Sequence, residues 1–388
     1  MGFVGTWVIA LMAANLVPVL IAAMVQDLGV DIATAGALAT GMTAGSALAM
    51  FVTTRFIASA DRPRLGRMGL IAMILGYGAA AALMTTPAVM VGLMLGGIGA
   101  GVMIATGTAA ASATQNPDRA VTVVMIINRL GATALLAIAP LFHNDLRSVL
   151  IVIAALGVLG LLLAGGLPNS PGADLRIDTS VSSTPAKSPL TGVAFALAIS
   201  MCLWSLTEDM VYSMTSVLAG QAGLSPEVSG SLLAAKVGGG LVGALLAPLA
   251  LRWIGRSWSF VLIITISTVT KFLMITSGSA MIYSVSIVIW GVMYGAILVL
   301  VTGLAAVMDV TGRVGVIVSG FYLAGVAFGP LIGGQLVGVL TPLQYALIVS
   351  APSVVFGLAL FVIARSRRKF EEGNTSAVVV GTVEPVRV

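Results

Sequence analysis

Three consecutive stretches decide the fold: SVLIVIAALGVLGLLLAGGL at residues 148–167, PNSPGADLRIDTSVSSTPAKS at 168–188, and LTGVAFALAISMCLWSLTEDMVYSMTSV at 190–217. The first is an unbroken apolar run of the length a bilayer needs, roughly 20 residues for one spanning helix. The second is rich in Ser, Pro, Thr and Asp and has no apolar period, so it reads as a flexible linker. The third is apolar again. A polar linker between two spanning helices near the middle of the chain divides it into a first bundle at 1–167, a linker at 168–189 and a second bundle at 190–366. The remainder, 367–388, is too polar and patternless to span and reads as a disordered tail.

Composition agrees with a membrane setting. Of 388 residues, 59% are hydrophobic and only 9% charged, against about 25% charged in a soluble domain. The mean hydropathy is +1.10. A chain this apolar cannot cover its own surface in water. Its 46 glycines fit helices that must approach closely in lipid. Runs of spanning length fall at 3–25, 34–57, 68–86, 88–112, 120–142, 148–167, 190–217, 228–251, 258–277, 280–304, 314–338 and 342–364, twelve spans in all. Met1 and Gly2 give no basic n-region and the 3–25 run is too long for an h-region, so it reads as the first span rather than a cleavable signal. The single cysteine, Cys202, and single histidine, His143, exclude an internal disulfide and leave no Cys/His metal site; no metal or cofactor is expected.

The cations test this partition. With the N-terminus cytoplasmic, alternate loops should be Lys/Arg-rich. Arg55, Arg62, Arg64 and Arg67, then Arg119, Arg176, Lys187, Arg252, Arg256, Arg313, Arg365, Arg367, Arg368 and Lys369 all fall on that side. The opposite loops offer Asp27, Asp31, Asp145 and Glu227, with Arg147 alone basic. The positive charge is therefore topogenic, and nucleic acid is excluded as a partner. The expectation is an inner-membrane, multi-pass, all-α protein with both termini cytoplasmic.

An internal repeat supports two like-oriented halves. Gly36-Ala37-Leu38-Ala39 aligns with Gly230-Ser231-Leu232-Leu233, Gly45 with Gly239 and Arg119 with Arg313, at one offset of 194. Halves so related imply a pseudo-two-fold axis along the membrane normal and a solute site between them near the midplane.

At these residues the sequence resembles the major facilitator superfamily over essentially its full length. The loop after the second span reads Asp61-Arg62-Pro63-Arg64-Leu65-Gly66-Arg67, similar to that family's Gly-x-x-x-Asp-Arg-x-Gly-Arg signature, with Ile57 in place of the glycine. Arg252-Trp253-Ile254-Gly255-Arg256 is its counterpart in the second half, without the aspartate. Gly97-Ile98-Gly99-Ala100-Gly101 resembles the family's glycine-rich stretch, with Leu93 where an arginine often stands. Gly325-x-x-x-Gly329-Pro330-x-x-Gly333-Gly334 is similar to the pattern drug/proton antiporters carry in their fifth span, of which the fifth span here keeps only Gly131 and Pro140. The resemblance implies a twelve-helix fold of two six-helix bundles, and for Asp61, Arg62 and Arg67 a role in stabilising one side of an alternating-access cycle.

Ionisable groups at membrane depth face a cavity or a partner, because exposure to lipid costs about 2.5 kcal/mol or more each. Arg129, Glu208, Asp209 and Lys236 stand near mid-span, and Lys271 nearer an end, where it can snorkel. At about 100° per residue, Trp204, Ser205, Glu208, Asp209, Tyr212, Ser213 and Ser216 share one half of the seventh span. Apolar residues fill the other half, with Thr207 the exception. That polar half reads as cavity wall. Tyr283, Trp290 and Tyr294 form one stripe on the tenth span, either packing or cavity wall. Asn15 occupies the repeat position of Asp209 and either contacts solute or bonds across helices.

The family geometry would bring Arg129 and Lys236 opposite the two acids. One reading pairs an acid with Lys236; the other makes an acid a proton carrier whose charge follows solute occupancy. The favoured assignment pairs Asp209 with Lys236 and leaves Glu208, between Trp204 and Tyr212, as proton or solute site. Glu208 and Asp209 are thus the proton-coupling candidates, and Arg129, Lys236, Trp204, Tyr212, Asn15, Trp290 and Tyr294 the solute contacts. The sequence reads as a monomeric, proton-coupled symporter of a small carboxylated or zwitterionic, possibly aromatic, solute. The rival is proton-coupled efflux of lipophilic or cationic compounds. An enzyme is not expected, since no HExxH, no G-x-S-x-G and no His/Cys cluster stands at membrane depth.

Overall fold

The computed structural model describes residues 2–54, 61–112, 117–138, 145–166, 192–308 and 313–380. Thirteen α-helices run through them: α1 (Gly2–Asn15), α2 (Val17–Leu28), α3 (Ile32–Thr54), α4 (Arg62–Leu83), α5 (Thr86–Ser112), α6 (Pro117–Ile138), α7 (Leu146–Leu163), α8 (Gly192–Ser213), α9 (Thr215–Gln221), α10 (Pro226–Thr276), α11 (Ala280–Met308), α12 (Arg313–Val337) and α13 (Pro342–Val380). They form twelve membrane passes in two six-helix bundles, as the sequence predicts, but four passes are built differently from the twelve simple runs.

The first pass is α1 and α2 together, bent by 48° at Leu16. Pro18 stands in the first turn of α2; with no N–H and a ring that crowds the preceding turn, it cannot continue α1. The seventh pass breaks in the same way at Met214, between α8 and α9. Leu16 (φ −95°, ψ 0°) and Met214 (φ −94°, ψ 1°) have nearly the same backbone, so the two halves share this device. The eighth and ninth passes, predicted as separate helices, are two helices that follow one another within the 51 residues of α10 with only a kink between them. A straight helix of that length would measure about 76 Å, far beyond a bilayer. Gly255 interrupts it at φ 74° and ψ 165°, a backbone only glycine adopts without strain. The linker predicted at 168–189 lies outside the described residues. Where a disordered tail is predicted from 367, α13 continues to Val380, because Arg365 to Glu372 are mostly good helix formers.

The acids at the end opposite the basic loops hold helix termini. Asp31 Oδ1 accepts the Thr34 N–H at 2.6 Å and Asp145 Oδ2 that of Ser148 at 2.9 Å, each satisfying an orphan donor of a first turn. The Thr34 bond holds the exposed Asp31 carboxyl below its ordinary value. Asp27 Oδ2 accepts the Leu146 N–H at 2.6 Å, tying the end of α2 to the start of α7. At the basic end Asp61 caps α4 through the Arg64 N–H at 3.2 Å.

The two halves meet along α3 and α12. Pro330 lies inside α12, and beside it Leu331 N–H donates to Thr40 Oγ1 at 2.8 Å while the Ala327 carbonyl accepts from Thr43 Oγ1 at 2.9 Å. Polar groups loosened by the proline are thus satisfied by the other half, as a bilayer requires. The core is uneven. One hydrophobic cluster runs through both halves, from Val4 to Val349, and includes Val211, Leu218, Leu233 and Tyr283. A second, with Leu197, Phe260, Leu304 and Leu360, belongs to the second half alone and lies toward the basic loops. The halves are therefore joined at the Asp27/Asp145 end.

Glycines of α5 let three helices converge. A Cβ on Gly97 would strike the Met42 carbonyl of α3, and one on Gly99 would lie 2.8 Å from the Met73 nitrogen of α4. Gly97→Val should therefore destabilise the fold by about 2 kcal/mol, seen as a lower thermal midpoint of the purified protein. An unchanged midpoint would mean that α3 and α5 are not in backbone contact.

Candidate functional site

The intramembrane charges collect where α8, α10, α11 and α12 meet α6 and α1. Their arrangement starts with Glu208. It is 3% exposed and forms an ion pair with Lys271, which is fully buried. Trp290 Nε1 donates to the other carboxylate oxygen at 2.6 Å, and Lys271 also donates to Ser353 Oγ at 2.8 Å. This network joins α8, α10, α11 and α13 inside the second bundle.

That corrects two expectations. Lys271 does not snorkel, because it sits in the wall between helices with its ammonium satisfied on two sides. Glu208 rather than Asp209 carries the ion pair, and its partner is Lys271 rather than Lys236. The apolar interior accounts for this: at full burial a bare carboxylate is far costlier than a hydrogen-bonded pair.

Asp209 is half-buried and points to α12, where Gly329 leaves room for it: a Cβ there would come 2.6 Å from the Asp209 Cβ. Among the described residues no cation lies within 4.0 Å of its carboxylate. The charges that influence it are Lys236 and Glu208.

Lys236 is 7% exposed, and its ammonium lies over three rings: Tyr212 at 3.8 Å, Trp290 at 4.1 Å and Tyr294 at 5.2 Å from the centroids. Aromatic faces attract a cation most strongly when it is desolvated. The cage holds the charge without neutralising it. Trp290 does both jobs, with its edge on Glu208 and its face on Lys236. Arg129 of α6 is half-buried, 5.9 Å from the Tyr294 centroid, and its charge is felt at Tyr212, Tyr294 and Tyr322. Tyr294 and Tyr322 share a hydrogen bond between their hydroxyls. Tyr322 was not among the expected contacts. Its place in the twelfth helix, one turn before the glycine pattern, was the available signal.

The other expected contacts fall into two groups. Tyr212 is half-buried and donates to the Asn15 carbonyl of the first half at 2.6 Å. The Asn15 amide donates back to Leu11 at 3.0 Å, so this residue offers its backbone to the second half. Trp204, expected to touch solute, is fully buried, stacked on Tyr294 at 5.6 Å and Phe356 at 5.1 Å. It backs the wall that Tyr294 presents. The polar half of α8 is accordingly shared out. Ser205 donates to the Tyr322 carbonyl of α12 at 2.9 Å, Glu208 points into its own bundle, and Tyr212 reaches across to α1. Tyr283, on the predicted aromatic stripe, satisfies the Thr215 carbonyl at 2.6 Å beside the break at Met214, and Tyr345 satisfies Met210 at 2.8 Å.

The glycine-proline pattern of α12 is wedged between this site and the other half. Gly325, Gly329 and Gly333 lie against Ser205, Asp209 and Met210 of α8, while Pro330 and Gly334 lie against Gly36 and Ile32 of α3. In the basic loop, Arg62 is 7% exposed and Asp61 pairs with Arg64 at 3.2 Å, while Arg67 is exposed.

Removing one member of a buried pair strands the other. Lys271→Met is expected to destabilise the protein by about 3–5 kcal/mol, and adding Glu208→Gln to it should restore most of the loss. Thermal unfolding of the three purified proteins decides it; a single variant as stable as the parent would break the pairing.

The model of the Major Facilitator Superfamily matches residues 2–315. The structure is similar to that of the nucleoside transporter NupG, with a TM-score of 0.68 at 14% identity over 93% of this chain and 97% of that one. It is similar to a D-xylose-proton symporter, at 0.70 and 13% over 92% and 95% of the two chains. The inward-open xylose transporter XylE from E. coli gives 0.72 at 11% over 93% and 94%. At these identities the likeness is one of fold. No curated protein matches the sequence.

Proposed function

The chain belongs to the Major Facilitator Superfamily and is a multi-pass membrane transporter of small solutes; within that class we propose that it is a proton-coupled symporter of a solute bearing a carboxylate and an aromatic ring. One observation carries the reading. Glu208 is neutralised by Lys271, so the cavity groups that remain are Arg129, Lys236 and Asp209, and no carboxylate lies within 4.0 Å of either cation among the described residues. A wall with two unpaired cations and one acid is complementary to an anion, and an amino group on the solute has Asp209 to meet. The rings of Tyr212, Tyr294 and Tyr322 offer stacking surface to an aromatic solute.

Coupling follows from the same three charges. With the site empty, Lys236 is the positive charge that sustains an ionised Asp209. A solute carboxylate that draws Lys236 and Arg129 to itself removes that support. In an apolar wall Asp209 is then stable only as the neutral acid, so proton and solute travel together. Glu208, held by Lys271 and Trp290, takes no part in the exchange and fixes the cage. Movement reaches the first half through α12, since its glycines touch Asp209 on one face and α3 on the other. The shared core at the Asp27/Asp145 end and the separate one toward the basic loops support a state open to the basic side. With the positive-inside rule that side is the cytoplasm of a cell whose inner membrane holds the protein as a monomer. The D-xylose-proton symporter of the same fold is a precedent for the coupling.

Proteoliposomes with an internal pH dye test the proposal against a panel of aromatic carboxylates, zwitterions and lipophilic cations. Acidification of the lumen on adding an external carboxylate or zwitterion, abolished by Asp209→Asn and retained in the stable Glu208→Gln/Lys271→Met pair, is expected. Alkalinisation driven by lipophilic cations would establish the efflux reading instead. Lys236→Gln should raise the KM for a carboxylate at least about tenfold, the scale of one charge-assisted contact of 1.5–3 kcal/mol. An unchanged KM would remove Lys236 from the solute site.

A further inference from the structure

Away from the solute site, α4 and α7 leave between them a groove of about 470 Å³. Ile74, Gly78 and Ala82 line it from α4, and Arg147, Ile151 and Val158 from α7. Ile151, which lines it, is exposed, as are Leu75 and Leu83 of α4 and Leu162 of α7, so it opens on the lipid-facing side of the first bundle. Gly78 forms part of its floor, and a Cβ added there would meet no atom within 4 Å.

The dimensions match one leaflet. From Arg147 to Val158 the helix rises about 16 Å, close to half of a hydrocarbon core roughly 30 Å thick. Arg147 therefore stands at the membrane surface and the far end of the groove near the midplane. Ala82, late in the antiparallel α4, shares the Arg147 end, and Ile74 lies beside Gly157 at the other.

Arg147 is the residue that the topogenic pattern leaves unexplained. It is the lone basic residue of the loops at its end of the molecule, where Asp27, Asp31, Asp145 and Glu227 stand, and a cation there works against the orientation that the other loops set. It is exposed, and among the described residues no carboxylate lies within 4.0 Å of its guanidinium. An unpaired guanidinium at the head of an apolar channel one leaflet long is complementary to a phosphate with an acyl chain beneath it.

We infer that the α4/α7 groove is a binding site for one phospholipid with an anionic headgroup, its phosphate on Arg147 and one acyl chain along Gly78 toward Val158. A bilayer leaves no such groove empty, so the chain supplies depth and Arg147 supplies the choice of headgroup. The assignment is independent of the solute proposed above.

The full-length purified protein, delipidated in mild detergent and titrated with phosphatidylglycerol or phosphatidylcholine of identical chains, is followed by native mass spectrometry. The parent should take up one phosphatidylglycerol about fivefold more tightly than phosphatidylcholine, the effect of a single interfacial cation. Arg147→Gln should erase that preference while leaving the weaker uptake. Gly78→Leu fills the groove with a better helix former and should cut uptake of both lipids by a similar factor. Lipid binding untouched by both substitutions would overturn the site. A parent without headgroup preference, in which Gly78→Leu alters the dimer population alone, would give the groove to a second copy of the chain and equally overturn it.

Discussion

A charge inside a bilayer is tolerated only when something answers it, and the Glu208–Lys271 pair is where this chain meets that condition. The pair crosses from α8 to α10 and collects Trp290 from α11 and Ser353 from α13. Four helices of the second bundle are thereby fixed at one depth. Trp290 extends the effect to Lys236, since an indole held by its edge on Glu208 presents a fixed face to that ammonium. The ion pair contributes rigidity, and in the proposed mechanism the chemistry falls to Asp209, Lys236 and Arg129.

Backbone breaks serve the same end. The stops at Leu16 and Met214 expose carbonyls at membrane depth, and buried tyrosine hydroxyls answer those around α8. Tyr212 makes the corresponding bond to Asn15 across the halves, and the Pro330 region of α12 is answered by Thr40 and Thr43. Polar groups thus bridge the halves beside their shared apolar core and the close approach of Gly36 to Pro330. The interior of each bundle is closed by glycine-mediated backbone contact, which does not slide easily.

The fold was legible because a bilayer writes its demands in bulk: run length, hydropathy, and cations confined to alternate loops. Those features located twelve passes without any contact being known. The polar half of α8 and the cations of α6 and α10 were legible for the same reason, since lipid does not accept them. The partner of each charge was not. Lys271 lies 63 residues from Glu208, and its depth depends on where its helix begins, which apolar runs place only within several residues. The Gly255 reversal sets that register, and it resembles an ordinary loop in sequence. Trp204 was assigned to the cavity by its angle on the wheel, but an angle does not say whether the neighbouring helix or the solute fills the space it faces. Tyr322 was missed because a single tyrosine in an apolar run carries no periodic signal.

The account rests on Asp209 being the available acid and Glu208 the occupied one. A hydrophobic carbodiimide, which reacts with a protonated carboxyl in an apolar setting, distinguishes them when the adduct is located by mass spectrometry of the purified protein. The account predicts modification at Asp209 that slows as the pH rises, with Glu208 left intact. An adduct on Glu208 with Asp209 unmodified would contradict it and return the proton to the residue assigned here to structure.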